Sequence, residues 1–567
     1  VDGKLYFEIP VKYLGREMLL ASTLTSTSSN DFCDVGYKQN DPLHIRFTKI
    51  DSTIYLNEVN AYVTSNPNEP SLQKAIDKNF MDAVLYSYKI AAYNPDSTAV
   101  VIDVTPIFTT DMKEFAFLPT SIMGLIQVVS TFNKEGAALG AIKAFDDNLT
   151  VKSMLSYKVS LRFMSFSFLD NMPLTATVTR SLLLLPEEKM RPRISDSRVG
   201  IFVTSKQHIS TEKDGVQNYT LANRWRMEPK DVAAYKRGEL VEPVKPIVFY
   251  IDDAFPELWK QPIKEGTLRW NAAFEKIGFK NAVQVRDFPT DDPEFDPDNL
   301  KYSCVRYSPT AVANAMGPSW VDPITGEIIN ASVIIYNDIV KLINNWRFVQ
   351  TAQIGPRVRT KKMPKEIFDE SMTYVVAHEI GHTLGLMHNM AGSAAIPVDS
   401  LRSASFTQKY GTTASIMDYA RYNYVAQPGD RGVKLTPPEL GVYDEYVIKW
   451  LYSPIPDAKD KWEEAAIAER WIDEKAGDPL YRYGRQQIII RCDPSSLEED
   501  LGDDPLKASE YGIKNLKYIL AHLNEWITDD PDFRYRKEIY GNIVMQYMRY
   551  LMNVAYQIGG IQLTQVK

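Results

Sequence analysis

The first 195 residues alternate apolar and polar positions in short runs that turn residues interrupt. Residues 43–50 are the clearest example, because nearly every second side chain is apolar, as in a half-buried β-strand. Similar runs predict further strands at residues 54–59, 100–104, 159–163 and 175–180. One helix is predicted in this region, over residues 71–84. The pattern therefore predicts a β-rich N-terminal domain spanning residues 1–195.

A second region mixes strands with helices. Strand candidates lie at residues 247–251, 282–287 and 302–307. Apolar positions at helical spacing predict a helix over residues 263–277, which Gly278 can end. A second helical stripe consists of apolar residues at every fourth position: Phe368, Met372, Val376, Ile380 and Leu384. Residues 246–430 are therefore predicted to form one α+β domain.

The remaining segments have a different character. Residues 196–245 follow a charge-rich stretch and end in one that Gly and Pro interrupt, so they are predicted to be a linker. Later, helix-period apolar residues predict helices at residues 462–472, 506–526 and 538–557. Residues 431–567 are therefore predicted to form a mostly helical, supporting C-terminal subdomain. The whole pattern favours a multidomain α+β fold, and a chain of 567 residues is also too long for one core.

Composition excludes some classes of function. The net charge of −8 is small for a chain of this length, which argues against nucleic acid or an anionic membrane as the main partner. No apolar run approaches the length that spans a bilayer. The three cysteines are far apart, so they predict no disulfide framework. The sequence starts at Val1, so an upstream signal peptide or lipid anchor would not be visible, and the pattern predicts no oligomeric state.

Half of the six histidines fall within one stretch of the chain. His378 and His382 are four residues apart and therefore lie one turn apart on one face of a helix, where both can bind one metal ion. Glu379 follows the first of them and can take a proton from a metal-bound water. Gly385 can end the helix in a left-handed turn, which would bring His388 back as a third nitrogen ligand. Three protein ligands leave one position open for water, which is typical of a catalytic zinc site.

The stretch reads HExxHxxGxxH, the long motif of the metzincin zinc peptidases, and the chain resembles that clan over residues 245–430. The segment from Ser415 to Tyr419 resembles the methionine turn of the clan. The resemblance implies that Met417 packs under the metal without binding it, and that Tyr419 contacts the metal and then stabilises the oxyanion. It also implies a mixed twisted sheet that carries the zinc-binding helix. Asn389, after the third histidine, matches none of the best-known metzincin families.

Longer stretches resemble a group of large, poorly characterised bacterial zinc-dependent metalloproteases: residues 317–328, 388–392 and 499–509. This resemblance spans most of the chain and implies an extracytoplasmic protein with one catalytic zinc ion. The expected activity is that of an endopeptidase, in which a zinc-activated water hydrolyses a protein or peptide substrate and Glu379 is the general base. Two alternatives remain open: a zinc-dependent amidase or esterase acting on a non-peptide substrate, and a non-catalytic binding protein on a metzincin scaffold.

A hairpin is predicted just before the zinc helix, with strands at residues 313–321 and 328–335 around a turn at residues 322–326. By the metzincin resemblance, its first strand would be the edge strand above the cleft, whose unpaired backbone groups could hold an extended peptide. The candidate substrate-binding residues are Met316, Gly317, Ser319, Trp320 and Val321. The alternative is an edge that Gly317, Pro318 and a neighbouring segment block.

Three weaker candidates complete the sequence interpretation. Residues 291–298 contain five carboxylates that could bind calcium, although a solvated acidic turn also fits because the spacing is irregular. Cys33 or Asp34 could cap the zinc ion in a latent state, but a lone cysteine is also typical of a core. Tyr419 could instead be a packing residue, since Tyr422 and Tyr424 lie close to it in sequence.

Overall fold

The computed structural model describes residues 2–566, apart from Pro67, Met123, Ser165, Pro293, Glu294, Ala313 and Pro318, and apart from the side chain of Met316. Within this part of the chain, no helix has both the length and the apolar composition needed to cross a membrane. The architecture is multidomain α+β, with a large β-rich N-terminal region and a helical C-terminal region. The coarse prediction of the fold is therefore confirmed.

Strands dominate the N-terminal region and the first part of the segment predicted as a linker. They are β1 (Tyr6–Pro10), β2 (Glu17–Thr27), β3 (Leu43–Ile50), β4 (Thr53–Glu58), β5 (Val63–Ser65), β6 (Ala83–Tyr93), β7 (Ala99–Asp103), β8 (Ser121–Ile122), β9 (Ile126–Phe132), β10 (Ala138–Ala144), β11 (Asn148–Phe163), β12 (Phe166–Leu184), β13 (Val203–Ile209) and β14 (Gln217–Ala222). Eleven of the described strands form one antiparallel sheet in the order β1-β7-β6-β4-β3-β2-β12-β11-β9-β8, with β10 paired to β11. The bounds of β3 are those that its alternating pattern predicts.

A smaller sheet lies under the predicted zinc helix. The strands of this region are β15 (Ile247–Ile251), β16 (Val283–Asp287), β17 (Ser303–Ser308), β18 (Ala315–Met316), β19 (Ser319–Val321), β20 (Ile328–Ala331) and β21 (Val333–Tyr336). Five of them form a mixed sheet in the order β16-β15-β17-β21-β18. All neighbours are parallel except the edge strand β18, which runs antiparallel to β21.

Two of the described helices lie in the N-terminal region, and the others surround this sheet or lie in the linking and C-terminal segments. The helices are α1 (Pro70–Asn79), α2 (Thr105–Thr109), α3 (Val232–Lys236), α4 (Glu257–Leu268), α5 (Asn271–Glu275), α6 (Ile339–Thr351), α7 (Lys365–Thr383), α8 (Ala404–Tyr410), α9 (Val442–Tyr452), α10 (Lys461–Asp473), α11 (Pro505–Trp526) and α12 (Arg534–Ala555). The predicted apolar stripe of α7, from Phe368 to Leu384, is buried in the core that also contains the sheet. One face of α7 therefore rests on the core, as the four-residue spacing predicts.

Two predicted helices have different bounds in the structure. The helix predicted over residues 71–84 ends at Asn79, because residues 83–93 join the large sheet as β6 and pair with β4. The single helix predicted over residues 263–277 is divided into α4 and α5. The division lies at Trp270, which turns inward and donates its indole N–H to the Ala377 carbonyl of α7 at 2.8 Å.

The predicted hairpin before α7 is shared between two sheets. Strand β18 pairs with β21 in the five-stranded sheet, whereas β19 pairs with β20 in a separate two-stranded sheet. The prediction of one continuous edge strand over residues 313–321 is therefore wrong, because the chain leaves the larger sheet after Met316. Ala313 and Pro318, which fall in the predicted strand, lie outside the described residues.

The segment predicted as a linker is structured. It contains β13, β14 and α3, and β13 pairs in parallel with β5 of the N-terminal region. It also contacts the end of α7: the Phe202 N–H donates to the Gly385 carbonyl at 2.8 Å, and the Met387 N–H donates to the Gly200 carbonyl at 3.0 Å. Residues 196–245 therefore join the N-terminal region to the predicted metal site.

Candidate active site

The end of α7 and the turn after it bring three histidines together. The chain reverses at Gly385, whose φ of +92° lies in the left-handed region that favours glycine. The turn is closed by the Gly385 N–H, which donates to the His382 carbonyl at 3.0 Å. As a result, Nε2 of His388 lies 3.1 Å from Nε2 of His382 and 3.1 Å from Nε2 of His378.

The second ring nitrogen of each histidine, Nδ1, already forms a hydrogen bond. The three Nδ1 atoms lie 2.7–2.8 Å from oxygens that can only accept: the carbonyls of Ile416 and Leu386 and Oε1 of Gln486, in the order of the histidines. Each Nδ1 therefore carries the ring proton, and each Nε2 presents a lone pair. The three Nε2 atoms cannot donate hydrogen bonds to one another in this state.

Three lone pairs at this distance repel one another unless a cation lies between them. Protonation does not supply that cation, because burial, the largest cause, lowers the pKa of His378, His382 and His388. In a tetrahedral site with Zn–N bonds of roughly 2.0–2.1 Å, the nitrogens are about 3.3 Å apart, close to the separations here. The three side chains form a group that could hold a metal ion, and an all-imidazole set suits zinc.

A segment of the C-terminal region, residues 482–486, runs along the third histidine, and we call it the strap. Asn389 holds it with both atoms of its amide: Nδ2 donates to the Arg482 carbonyl at 3.0 Å, and Oδ1 accepts from the Gly484 N–H at 2.8 Å. The residue that departs from the best-known metzincin families is therefore the one that binds the strap. These bonds place Gln486 beside the third ligand.

Gln486 is held in turn by an ion pair. Its Nε2 donates to Oε1 of Glu498 at 3.0 Å, and the other oxygen of Glu498 lies 2.5 Å from Nη2 of Arg491. Partners on the second nitrogen of a metal-binding histidine fix its tautomer and align its ring. Sequence reasoning missed Gln486, because it lies 98 residues after His388 and belongs to no motif.

Met417 packs against α7 at Gly381, between the positions of the first two histidines. It is fully buried, and a Cβ at Gly381 would collide with its sulfur, so the glycine permits the close approach. The turn is held by Asp444, which accepts from the Ser415 hydroxyl at 2.6 Å and from the Ile416 N–H at 2.8 Å. This turn also supplies the Ile416 carbonyl that orients the first histidine. Met417 is thus a packing contact in the structure.

Glu379 lies between the two histidines of α7. Burial raises the pKa of its carboxyl to about 8, and the nearby Arg421 guanidinium opposes that shift. A dication held by the three histidines would act in the same direction as Arg421 and favour the carboxylate. The carboxylate is the form that can accept a proton from water.

The ring of Tyr419 packs against two of the histidine rings. Its ring centroid lies 4.5 Å from that of His388 and 5.6 Å from that of His378. Among the residues that the structure describes, its hydroxyl has no hydrogen-bond partner. Tyr422 and Tyr424, by contrast, are almost completely buried in the core. The phenol of Tyr419 is therefore the one of the three that lies at the site.

Arg421 packs between Tyr419 and neighbouring side chains of the site. Its guanidinium carbon lies 4.1 Å from the ring centroid of Tyr419 and 3.8 Å from that of Trp346, and the group forms an ion pair with Glu499 at 3.6 Å. Burial raises the pKa of the Tyr419 phenol, while the guanidinium lowers it. Sequence reasoning missed Arg421, although its position two residues after Tyr419 in the same turn is a signal.

The candidate substrate-binding residues do not share one edge. The backbone of Met316 pairs within β18, while its side chain lies outside the described part of the chain. Gly317 lies against α7, since a Cβ there would approach the Thr383 methyl to 3.3 Å. Gly317 is therefore next to the site, one residue after Met316.

The other three candidates are engaged in different contacts. The Ser319 carbonyl accepts a hydrogen bond from Nζ of Lys38 at 2.6 Å, and Trp320 is buried beneath the same ammonium group at 4.8 Å. Val321 pairs with Ile328 of β20. The candidates on strands therefore lie in two sheets, and the Ser319 carbonyl already has a partner. Backbone pairing of a substrate with these residues stays a prediction.

The candidate calcium loop is neutralised by lysines. Asp296 lies 2.6 Å from Nζ of Lys143, and Asp298 lies 2.6 Å from Nζ of Lys152. Glu294 lies outside the described residues. The structure does not support a calcium site at residues 291–298.

The candidate latency switch lies in a core. Cys33 packs with Leu24 and Phe32 in the N-terminal region, and burial raises the pKa of its thiol to about 12. A buried, protonated thiol is a poor metal ligand, because metals bind the thiolate. Asp34, its neighbour, is partly buried, and burial raises the pKa of its carboxyl.

Comparison with known proteins adds three matches to family models. Residues 360–567 match the family described as Met-zincin. Residues 36–230 and residues 1–27 match two further families, each described only as a domain of unknown function. Comparison with curated proteins and with solved structures gives no significant match.

Proposed function

We propose, from the premise that residues 360–567 form the zinc-binding part of a metzincin-clan metallopeptidase, that the protein is a zinc-dependent endopeptidase. One observation carries the proposal. Nε2 of His388 lies 3.1 Å from Nε2 of His378 and 3.1 Å from Nε2 of His382, next to the half-buried Glu379, and each ring is held at Nδ1 by an acceptor oxygen. This is an open three-ligand site next to a general base.

The histidines, Glu379 and Tyr419 have separate roles in the proposed hydrolysis. Zinc, held by His378, His382 and His388, would supply a Lewis acid and a water of lowered pKa. Glu379 accepts the proton of the attacking water and delivers it to the leaving amine. Tyr419 donates its free hydroxyl to the oxygen that becomes negative in the transition state.

The proposed substrate is a protein or peptide. A backbone edge at Met316 and Gly317 lies next to α7, and such an edge can hold an extended chain by strand addition. A non-peptide amide or ester would need only the zinc site and the base. Digestion of a peptide library, compared with a panel of non-peptide amides and esters on the zinc-loaded protein, separates the two classes of substrate.

Glu379→Gln tests the mechanism. We expect the variant to keep its zinc, because the glutamate binds no metal, and to lose about 10²–10⁴-fold in kcat for peptide hydrolysis. Glu366→Gln, at an exposed position in the first turn of the same helix, is the matched control and should remain active. A Glu379→Gln variant as active as the parent would place the general base elsewhere, and hydrolysis of no peptide by the parent would refute the endopeptidase proposal.

A further inference from the structure

A cavity of about 670 Å³ lies beside His382, one of the three proposed zinc ligands. One end is formed by His382 and Gly385, at the turn that follows α7. The opposite wall comes from the N-terminal region, through residues 36–44, and the linking segment lines it with residues 202–205. A substrate chain that reaches the zinc site from this side therefore passes between two regions far apart in sequence.

The N-terminal wall is fixed against the catalytic region. The Tyr336 hydroxyl donates to the Val35 carbonyl at 3.0 Å, and Lys38 binds the Ser319 carbonyl at 2.6 Å. Gly36 approaches β21 so closely that a Cβ there would collide with Ile334. These contacts lie on both sides of Tyr37, so its position at the cavity is built into the packing of the two regions.

The second wall is tied to the zinc helix. The Phe202 N–H donates to the Gly385 carbonyl at 2.8 Å, and its carbonyl accepts from the Asn223 N–H at 2.9 Å. The Phe202 ring centroid lies 5.9 Å from that of His382. Both bonds hold the backbone of Phe202 in place, and its ring reaches the second metal-binding histidine.

Large apolar side chains line the cavity and remain open to water. Tyr37 is 39% exposed, Phe202 is 41% exposed and Val203 is 43% exposed. Binding is favoured when a ligand removes apolar surface of this kind from water. Polar residues line the cavity as well, among them Asp41, His44 and Asn223. The exposed apolar side chains of Tyr37, Phe202 and Val203 form its apolar part, and this part suits an apolar side chain of a substrate.

We propose that Tyr37 of the N-terminal region and Phe202 and Val203 of the linking segment form a side-chain subsite next to the scissile bond, which selects polypeptide substrates with a bulky apolar residue there. The inference rests on the proposed peptidase function and adds to it the class of substrate. It also assigns a role to the N-terminal region, whose families are described only as domains of unknown function. Lys38 lines the same cavity, but its ammonium group is already bound to the Ser319 carbonyl.

The first measurement maps cleavage positions in a random peptide mixture with the full-length, zinc-loaded protein. We expect Leu, Met, Phe or Tyr to be enriched at one position beside the cut. Two peptides that differ only by Leu or Ala at that position then give a ratio of kcat/KM, and a hydrophobic subsite should favour Leu by about tenfold or more.

Variants assign the preference to the proposed residues. Phe202→Ala and Tyr37→Ala should each lower the Leu-to-Ala ratio by several-fold, while zinc content and melting temperature stay close to those of the parent. Tyr62→Ala and Phe166→Ala are the controls, since both side chains are exposed on the N-terminal region and neither lines the cavity. Both controls should leave the ratio unchanged.

The outcomes separate the inference from the function on which it rests. A parent enzyme that cleaves peptides with the same Leu-to-Ala ratio in all variants would overturn the inference alone. Enrichment of acidic residues that Lys38→Gln removes would overturn it as well, because the ammonium group would then set specificity. A parent that cleaves no peptide would refute the proposed function, and the inference would fall with it.

Discussion

Two regions support the proposed zinc site, one adjacent to the histidines in sequence and one far from them. α7 carries His378 and His382, and backbone carbonyls of the methionine turn and of the turn after the helix orient both rings. The strap orients the third ligand with a side chain, Gln486, which lies 98 residues away. A backbone carbonyl is present whatever residue stands at its position, whereas the support from the strap depends on one amide group. The difference shows where the strength of metal binding can be changed without altering the helix.

The largest effect on zinc content should follow from removing one of the histidines on α7. His382→Ala removes one of three ligands, and two imidazoles hold zinc far less tightly than three, so we expect no stoichiometric zinc in the purified variant. Metal analysis of the native protein should find one zinc ion per chain. His522→Ala, on α11, is the matched control and should keep its zinc. Full zinc retention in His382→Ala would contradict the ligand assignment.

Tyr419 lies where the two supports meet, because Arg421 joins its ring to Glu499 of the C-terminal region. Tyr419→Phe removes one oxygen and leaves the ring. If the hydroxyl stabilises the oxyanion, kcat should fall by about 10²–10³-fold. KM should stay nearly unchanged, because the bond is made only in the transition state.

A core tyrosine provides the comparison for that variant. The Tyr424 hydroxyl accepts a hydrogen bond from the Leu501 N–H at 3.0 Å, so Tyr424→Phe should lower the melting temperature and leave kcat close to that of the parent. If Tyr419→Phe behaves in the same way as Tyr424→Phe, Tyr419 is a structural residue.

The smallest effect should come from the strap. Gln486→Ala leaves all three ligands in place but removes the acceptor on His388, and loss of such a partner commonly lowers metal affinity about 10–100-fold. Competition with a chelator measures the change. Gln261→Ala, at an exposed glutamine of α4, is the control. Equal zinc affinity in the parent and in Gln486→Ala would mean that the strap only packs against the site.

The helix side of this comparison can be predicted from the sequence, because its signals are local. The spacing of the ligands, the stripe from Phe368 to Leu384 and the need for glycine at position 385 each involve a few neighbouring residues. Strands such as β3 and β15 also have the bounds that their patterns predict. Periodicity and turn chemistry depend on the residue and its neighbours, and this is why they can be read without a structure.

The strap, the divided edge strand and the wall from the N-terminal region could not be predicted in this way. Each depends on contacts between positions far apart in sequence, such as Lys38 with Ser319 and Asn389 with Gly484. A lysine that caps a carbonyl looks like any surface lysine in a sequence. Asn389 is a partial signal, since it departs from the residues of the best-known families. Nothing in the sequence, however, identifies Gly484 as its partner.

His388 and Gln486 are 98 residues apart in sequence, so they are not synthesised at the same time. A ribosome adds about 5–20 residues per second, so Gln486 emerges about 5–20 s after the third histidine. Until then a nascent chain can present its three imidazoles but cannot hold the last one in place. The newly made protein therefore completes the support of its three histidines only when residues 482–486 have been translated and folded.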